Sequence, residues 1–118
     1  MTEAELYSSL KTVFHEPSRL AVVAALAAAG EEGLSFPELG KQTELTCGNL
    51  SRHIKHLMDA GAVAQNKRFV GSRPRTDVTL TDAGREAFAE YLASLERALK
   101  AAETALQGVP DGVAPARA

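Results

Sequence analysis

The chain has 118 residues and a mass of 12.5 kDa, a size that suits one compact domain with an appended helix or tail. Apolar residues make up 45%, but 21 residues are alanine and none is tryptophan, so we expect a helical fold whose thin core benefits from a second subunit. No apolar run is long enough to span a bilayer, the N-terminus lacks a signal-peptide pattern, and Cys47 is the only cysteine. We therefore expect a cytoplasmic protein with no membrane segment and no disulfide.

The formal net charge of −2 is unevenly distributed along the chain. Residues 41–77 include seven Lys or Arg and three acids, a charge of +4, whereas the rest of the chain sums to −6. A basic middle between acidic ends favours a local binding surface for a polyanion. Ordinary variation of surface charge is the alternative explanation.

Two helices are predicted at the start of the chain. Apolar side chains at helical spacing predict the first over Glu3–Phe14, and this helix ends before Pro17 because a residue that precedes proline avoids the helical region. Pro17 in turn suits the first turn of a second helix, Pro17–Ala29, with Gly30 as a left-handed cap at its end.

A helix-turn-helix unit is predicted next. Ser35 and Glu38 have the spacing of a capping box, which opens a short helix that ends near Thr43. Thr46 is a candidate N-cap for a second helix over residues 47–60. Two short helices joined by such a turn form the helix-turn-helix unit.

A small sheet is predicted around this unit. Residues 62–70 and 76–80 have strand character, and the turn residues 71–74 between them make a hairpin with a basic tip. Leu34 is a candidate for a short edge strand.

Thr81 is a candidate N-cap for a last helix that runs to about Gln107, a length of roughly 39 Å. Apolar residues recur along it at alternating steps of four and three, the spacing of a heptad seam: Phe88, Leu92, Leu95, Leu99, Ala102 and Leu106. Residues 108–118, with two Pro and two Gly, are predicted to be a disordered tail.

Three segments resemble parts of MarR-type and ArsR-type winged helix regulators. They are "HEPSRLAVVAAL" at 15–26, "NLSRHIKHLMDAGAV" at 49–63 and "TLTDAGREAF" at 79–88, and together the resemblance covers about Val13 to Leu92. It implies a bacterial or archaeal transcription regulator, usually a homodimer. We therefore expect a mainly α fold with a small β-hairpin wing: a winged helix DNA-binding domain over 1–80, a dimerisation helix over 81–107 and the tail.

One face of the helix at 47–60 is a candidate for reading DNA bases. On a helical wheel the apolar residues form a stripe that we expect to be buried: Cys47, Leu50, Ile54, Leu57 and Met58. The polar face gives four candidate base-reading residues, Asn49, Arg52, His53 and His56. Arg can contact guanine bidentately and Asn can do so with adenine, whereas a merely solvated helix face is the competing interpretation.

Phosphate contacts are expected from residues near the helix N-termini, namely Ser35, Thr46, Ser51 and Lys55. Four wing residues bracket the hairpin turn: Lys67, Arg68, Arg73 and Arg75. Arginines at a narrow tip suit insertion into a minor groove, where the negative potential is strongest. The alternative is that these cations only keep the hairpin soluble.

The heptad seam predicts a dimer interface that the first helix completes. The residues assigned to it are Leu6, Leu10, Phe14, Phe88, Leu92, Leu95, Leu99 and Leu106. A twofold dimer would hold two recognition helices about 34 Å apart for a pseudo-palindromic site. The alternative is that the seam packs back on the first helix of its own subunit.

Other chemistries are weakly indicated. No catalytic set or phosphate-binding loop is present, so we expect neither an enzyme nor a cofactor. His53 and His56 have a spacing that can bind a metal, but ArsR-type metal sensors usually carry paired cysteines near this helix, and we expect no metal site. Cys47, at a helix N-terminus, is a candidate redox switch or a small apolar filler. Regulators that the chain resembles often have an effector pocket between the DNA-binding body and the dimer helices, so a small-molecule effector is a possible partner, but the sequence does not identify one.

These observations predict a homodimeric, sequence-specific double-stranded DNA-binding regulator that represses transcription by occupying a pseudo-palindromic operator. The alternative is a winged helix module that binds a protein and not DNA.

Overall fold

The computed structural model describes residues 2–108, apart from the side chain of Glu3. The fold is mainly helical with a small antiparallel sheet, as predicted. Its elements are α1 (Glu3–Phe14), α2 (Pro17–Ala29), a 3₁₀ turn (Gly30–Glu32), β1 (Leu34–Ser35), α3 (Phe36–Thr43), α4 (Cys47–Asp59), β2 (Val63–Val70), β3 (Arg73–Leu80) and α5 (Asp82–Gln107). Residues 109–118 of the predicted tail lie outside the described part of the chain, and Gly108 is exposed.

Side-chain caps begin the helices at the predicted positions. The hydroxyls of Thr46 and Thr81 accept hydrogen bonds from backbone N–H groups in the first turns of α4 and α5. Both halves of the capping box are present, because Ser35 accepts from the Glu38 N–H and Glu38 accepts from the Ser35 N–H. Gly30 ends α2 at φ +74° and ψ −154°, a positive φ but not the left-handed helical cap predicted.

An aromatic cluster joins α1 to α5. The ring of Phe14 meets those of Phe88 and Tyr91 edge-on, with centroids 5.3 and 5.6 Å apart. All three residues are buried, together with apolar residues from α2 and α4. The N-terminal half of α5 therefore belongs to the core of the domain.

The sheet has the order β1-β3-β2, and all pairs are antiparallel. Leu34 pairs with Val78, which confirms the predicted edge strand. The pairing of β2 with β3 continues to Val70 and Arg73, so the turn holds two residues and not the four predicted. Only the base of this hairpin is buried, and its outer half projects into solvent as the wing.

Two predictions about the buried face of α4 are wrong. Cys47 is exposed, and Met58 is 39% exposed, whereas Leu50, Ile54 and Leu57 are buried as expected. A helical wheel gives the direction in which a side chain points. It does not show how much of the helix length is covered by neighbouring elements. Cys47 and Met58 lie near the two ends of α4, where this covering is incomplete.

A close approach fixes the start of α5. Gly84 packs against the backbone of Ala62, and a Cβ atom at Gly84 would overlap the Ala62 carbonyl oxygen. The hydroxyl of Thr81 also donates to the Gly61 carbonyl at 2.7 Å. Within residues 2–108, no helix combines the length and the apolar character needed to cross a membrane.

Candidate nucleic-acid interface

The helix-turn-helix is formed by α3 and α4. Glu44 ends α3 in the left-handed conformation, with φ of +60°, and Thr46 then caps α4. Leu39 and Leu50 are buried on the inner sides of the two helices. With its apolar side held against the body, α4 turns its polar side outward.

Three of the predicted base-reading residues lie on that outer side. Asn49, Arg52 and His56 are exposed. Nη2 of Arg52 donates to Oδ1 of Asn49 at 3.1 Å, a contact between residues one helical turn apart. This contact aligns the two side chains and leaves the other guanidinium N–H groups free to donate to a ligand.

The prediction that His53 points outward is wrong. His53 is only 8% exposed, and its Nδ1 lies 3.6 Å from Oε2 of Glu16, the residue that caps α2. Burial lowers the pKa of His53, and the nearby Glu16 carboxylate only partly opposes this shift. His53 therefore belongs to the contact between α2 and α4 and is not available to read bases.

The predicted phosphate-binding residues differ in accessibility. Thr46, Ser51 and Lys55 are exposed near the N-terminal half of α4. Ser35 is not, because its side chain is buried and accepts the capping hydrogen bond from Glu38. The prediction that Ser35 contacts phosphate is corrected for this reason.

The four predicted basic residues of the wing fall into two groups. Nε of Arg68 and Nε of Arg75 donate to the two carboxylate oxygens of Asp77 at 2.8 and 2.7 Å. These side chains hold the base of the wing in place. Among residues 2–108, neither Lys67 nor Arg73 forms an ion pair, and both are exposed near the tip.

Asp77 is the buried acid that sequence reasoning missed. Its side chain is 5% exposed, and the hydrogen bond from Arg75 is the main cause that lowers its pKa. The same contact raises the pKa of Arg75. A usable signal was present, because Arg73, Arg75 and Asp77 alternate along β3 and so share one face of the strand.

The residues predicted to form a dimer interface differ in how exposed they are. The prediction that Leu10, Phe14 and Phe88 lie in a dimer interface is wrong, because these residues are fully or almost fully buried within one subunit. Leu6 and Leu95 are half-buried. Three leucines at every seventh position of α5 are exposed, increasingly so toward its end: Leu92 at 44%, Leu99 at 63% and Leu106 at 82%.

The described residues contain no cluster of three or more His, Cys, Asp or Glu side chains that could hold a metal ion. His53 and His56, the pair with metal-binding spacing, point to different environments, one buried and one exposed.

A family model described as a winged helix DNA-binding domain matches residues 18–99. The chain belongs to this winged helix family. The match spans the helix-turn-helix, the wing and more than half of α5. This winged helix protein therefore carries a DNA-binding domain, and the predicted resemblance to winged helix proteins is confirmed at the level of that family.

Relatives of the winged helix protein include proteins of archaea. An uncharacterized protein of Methanocaldococcus jannaschii is 34% identical over 80 residues, which are 68% of this chain and 85% of the relative. The structure of a transcriptional regulator homologue from Pyrococcus horikoshii OT3 superimposes with a TM-score of 0.69 at 31% identity, covering 86% of this chain and 97% of the other. The DNA complex of MepR from Staphylococcus aureus, at 20% identity and a TM-score of 0.61, covers 90% of this chain and 87% of its own, and shares the fold.

Proposed function

We propose that this winged helix protein is a sequence-specific repressor that binds a pseudo-palindromic site on double-stranded DNA as a homodimer. The observation that carries the proposal is the exposed face of α4, which presents Asn49, Arg52 and His56. The wing adds Arg73, which forms no ion pair with a described residue. The chain acts by binding in the cytoplasm and not by catalysis, and it needs no cofactor.

In the proposed complex, α4 enters the major groove. Arg52 can donate two hydrogen bonds to the O6 and N7 atoms of a guanine, and Asn49 can contact the adjoining base. His56 lies one turn further along the same face and reads a third position. The contact between Arg52 and Asn49 supports this role, because it reduces the side-chain freedom that is lost on binding.

Phosphate contacts fix the depth and direction of α4 in the groove. Thr46 and Ser51 offer hydroxyl groups near the N-terminus of α4, where backbone N–H groups also favour an anion. Lys55 forms an exposed ion pair with Asp59 at 3.3 Å, a contact weak enough to be exchanged for a phosphate. At the wing, Arg73 enters the adjacent minor groove and Lys67 contacts the backbone.

The exposed leucines of α5 support a homodimer. Fully burying one leucine side chain stabilises a structure by about 1.5–3 kcal/mol, so pairing Leu92, Leu99 and Leu106 across a twofold axis gives a strong reason to associate. The dimer presents two copies of α4 about one turn of DNA apart, roughly 34 Å.

Selection of duplexes from a random-sequence pool by the full chain tests DNA recognition. The selected sequences should contain an inverted repeat, and Arg52→Ala should lose the preference at one base pair of each half-site. Arg73→Ala should weaken binding to all sequences and lower the salt slope by about 1 for each bound subunit. Lys100→Ala, which removes an exposed cation from α5, is the control and should change neither property.

Two results would contradict this function. A folded wild-type chain that retains no duplex at low salt would favour the protein-binding alternative. Selection of single half-sites without symmetry, together with a monomeric chain in solution, would remove the homodimer. Repression itself is tested by placing the selected site across a promoter, where the wild-type chain should reduce transcript yield and Arg52→Ala should not.

A further inference from the structure

The tip of the wing is unusually apolar for a solvent-exposed hairpin. Phe69 is 73% exposed and Val70 is 53% exposed, and both precede the two-residue turn at Gly71 and Ser72. Pro74 is the partner of Phe69 across the strand pair and is also exposed. Three residues at the end of the hairpin are therefore apolar and exposed to solvent.

The strand register assigns these residues to the two faces of the tip. Directly paired residues share a face, so Phe69 and Pro74 project together on one side and Val70 and Arg73 project on the other. Lys67 lies two residues before Phe69 and is on the same face. Each apolar side of the tip thus has a cation beside it.

The charges around this apolar tip favour a polyanion as its partner. Arg73 and Lys67 form no ion pair with any described residue, so their charges remain available. The acid of the hairpin, Asp77, is buried further back and is already neutralised by Arg68 and Arg75. Another protein surface would need to be both acidic and apolar to match this tip, whereas a DNA groove has phosphates along its edges and stacked base pairs at its floor.

The base of the wing is tied to the helix-turn-helix by hydrogen bonds. Asp77 binds Arg68 and Arg75, and Arg75 also donates to Glu38 of α3 at 3.0 Å. These contacts connect the hairpin to the helix-turn-helix. A fixed hairpin can transmit force to a duplex, while a loose one would bend away.

We propose that Phe69, supported by Pro74, is an apolar wedge that leans on a base step in the minor groove and bends the duplex when the tip of the wing enters the groove. Wedges of this kind partly unstack a base step, which costs least at flexible pyrimidine–purine steps. The wing therefore adds a preference for deformable DNA beside the bases that α4 reads. This inference rests on the proposed function, because it requires that the chain bind a duplex.

Phe69→Ala tests the wedge, and Lys67→Ala, on the same face of the wing, is the matched control. Wild-type chain, Phe69→Ala and Lys67→Ala each select duplexes from the same random-sequence pool. The wild-type and Lys67→Ala pools should be enriched in pyrimidine–purine steps where the wings land, and the Phe69→Ala pool should lose this enrichment. All three pools should keep the base preference under α4.

The bend and the unstacking are then measured on one duplex selected by the wild-type chain. Bending is reported by energy transfer between dyes at the two ends of the duplex, and unstacking by the fluorescence of 2-aminopurine at the base step under the wing. Phe69→Ala should reduce both signals and lower the affinity by on the order of tenfold. Its salt slope should be unchanged, since no charge is removed. Lys67→Ala should lower the salt slope and leave the bend intact. Because Phe69 is 73% exposed, the thermal unfolding of Phe69→Ala should match that of the wild type.

Distinct outcomes separate the two proposals. If the wild-type chain binds its selected duplex but Phe69→Ala bends and unstacks it equally well, the wedge is wrong and the DNA-binding function stands. If Phe69→Ala instead alters self-association in the absence of DNA, the apolar tip serves contacts between copies and the wedge is again wrong. If the wild-type chain selects no duplex, the proposed function fails and the wedge fails with it.

Discussion

Arg75 in the wing donates a hydrogen bond from Nη2 to Oε1 of Glu38 at 3.0 Å. The same carboxylate oxygen accepts the N–H of Ser35 at 2.8 Å. One side chain therefore caps the first helix of the helix-turn-helix and also ties the wing to it. The backbone N–H of Ser35 is the main cause that lowers the pKa of Glu38, and Arg75 adds to that shift. The link between wing and helix thus rests on ionised groups at the base of the hairpin.

Asp77→Asn should loosen this connection. The substitution keeps the shape of the side chain but removes the charge that holds Arg68 and Arg75, so we expect a lower melting temperature and faster amide hydrogen exchange in the outer half of the hairpin. Asp59→Asn is the control, because it removes an exposed acid that forms an ion pair with Lys55. Equal melting temperatures and exchange rates in the two variants would show that the Asp77 cluster does not hold the wing.

His53 should make the stability of the fold sensitive to mild acid. Burial lowers the pKa of His53 in the folded chain, whereas the unfolded chain titrates near the usual value of about 6.5. As the pH falls below that value, the unfolded state binds a proton that the folded state excludes. The free energy of unfolding should therefore fall as the pH drops through this range, until the pH reaches the lower folded-state pKa.

Denaturant unfolding of His53→Gln and His56→Gln checks this dependence. His53→Gln should flatten the decline in stability with falling pH, since the buried titrating group is gone. His56 lies one turn further along α4 and is exposed, so its replacement removes no buried titrating group and should leave the slope close to that of the wild type. If His53→Gln and the wild type lose stability equally as the pH falls, the pH dependence comes from other groups near His53, which include Glu16 and Arg19.

Leu99→Asp should separate the proposed dimer without unfolding the subunit. Leu99 is 63% exposed in the single subunit, so the folded core loses little, but a charge at this point would have to be buried in the paired helices. Sedimentation should report a monomer, with helical circular dichroism close to that of the wild type. Ala101→Asp places the same charge two residues further on, away from the leucine stripe, and should remain dimeric. A dimeric Leu99→Asp would place the interface elsewhere.

Gly84→Ala and Gly48→Ala should have opposite effects on stability. The added methyl group at Gly84 would overlap the Ala62 carbonyl and push α5 from the start of β2, which should cost about 1–3 kcal/mol in the free energy of unfolding. At Gly48 no atom lies within 4 Å of the added methyl group. Alanine there should raise the stability of α4 by about 0.5–1 kcal/mol. Chemical denaturation measures both, and equal effects would contradict the close packing at Gly84.

The positions of the helices and strands were largely available from the sequence. Pro17, the Ser35–Glu38 capping box and the capping threonines act within one helical turn, so the residues that decide a boundary lie beside it in the chain. The order of these elements and the resemblance to winged helix regulators were enough to predict the fold. The exposed positions of Asn49, Arg52 and His56 also agreed with the helical wheel.

The accessibility of individual side chains was decided by the tertiary structure. His53 shares a helix with Arg52 but is buried, because α2 brings Glu16 against it from far along the chain. Asp77 binds two arginines only after β2 and β3 pair. A sequence pattern specifies the direction of a side chain within its own helix or strand, whereas burial depends on which distant segment covers it.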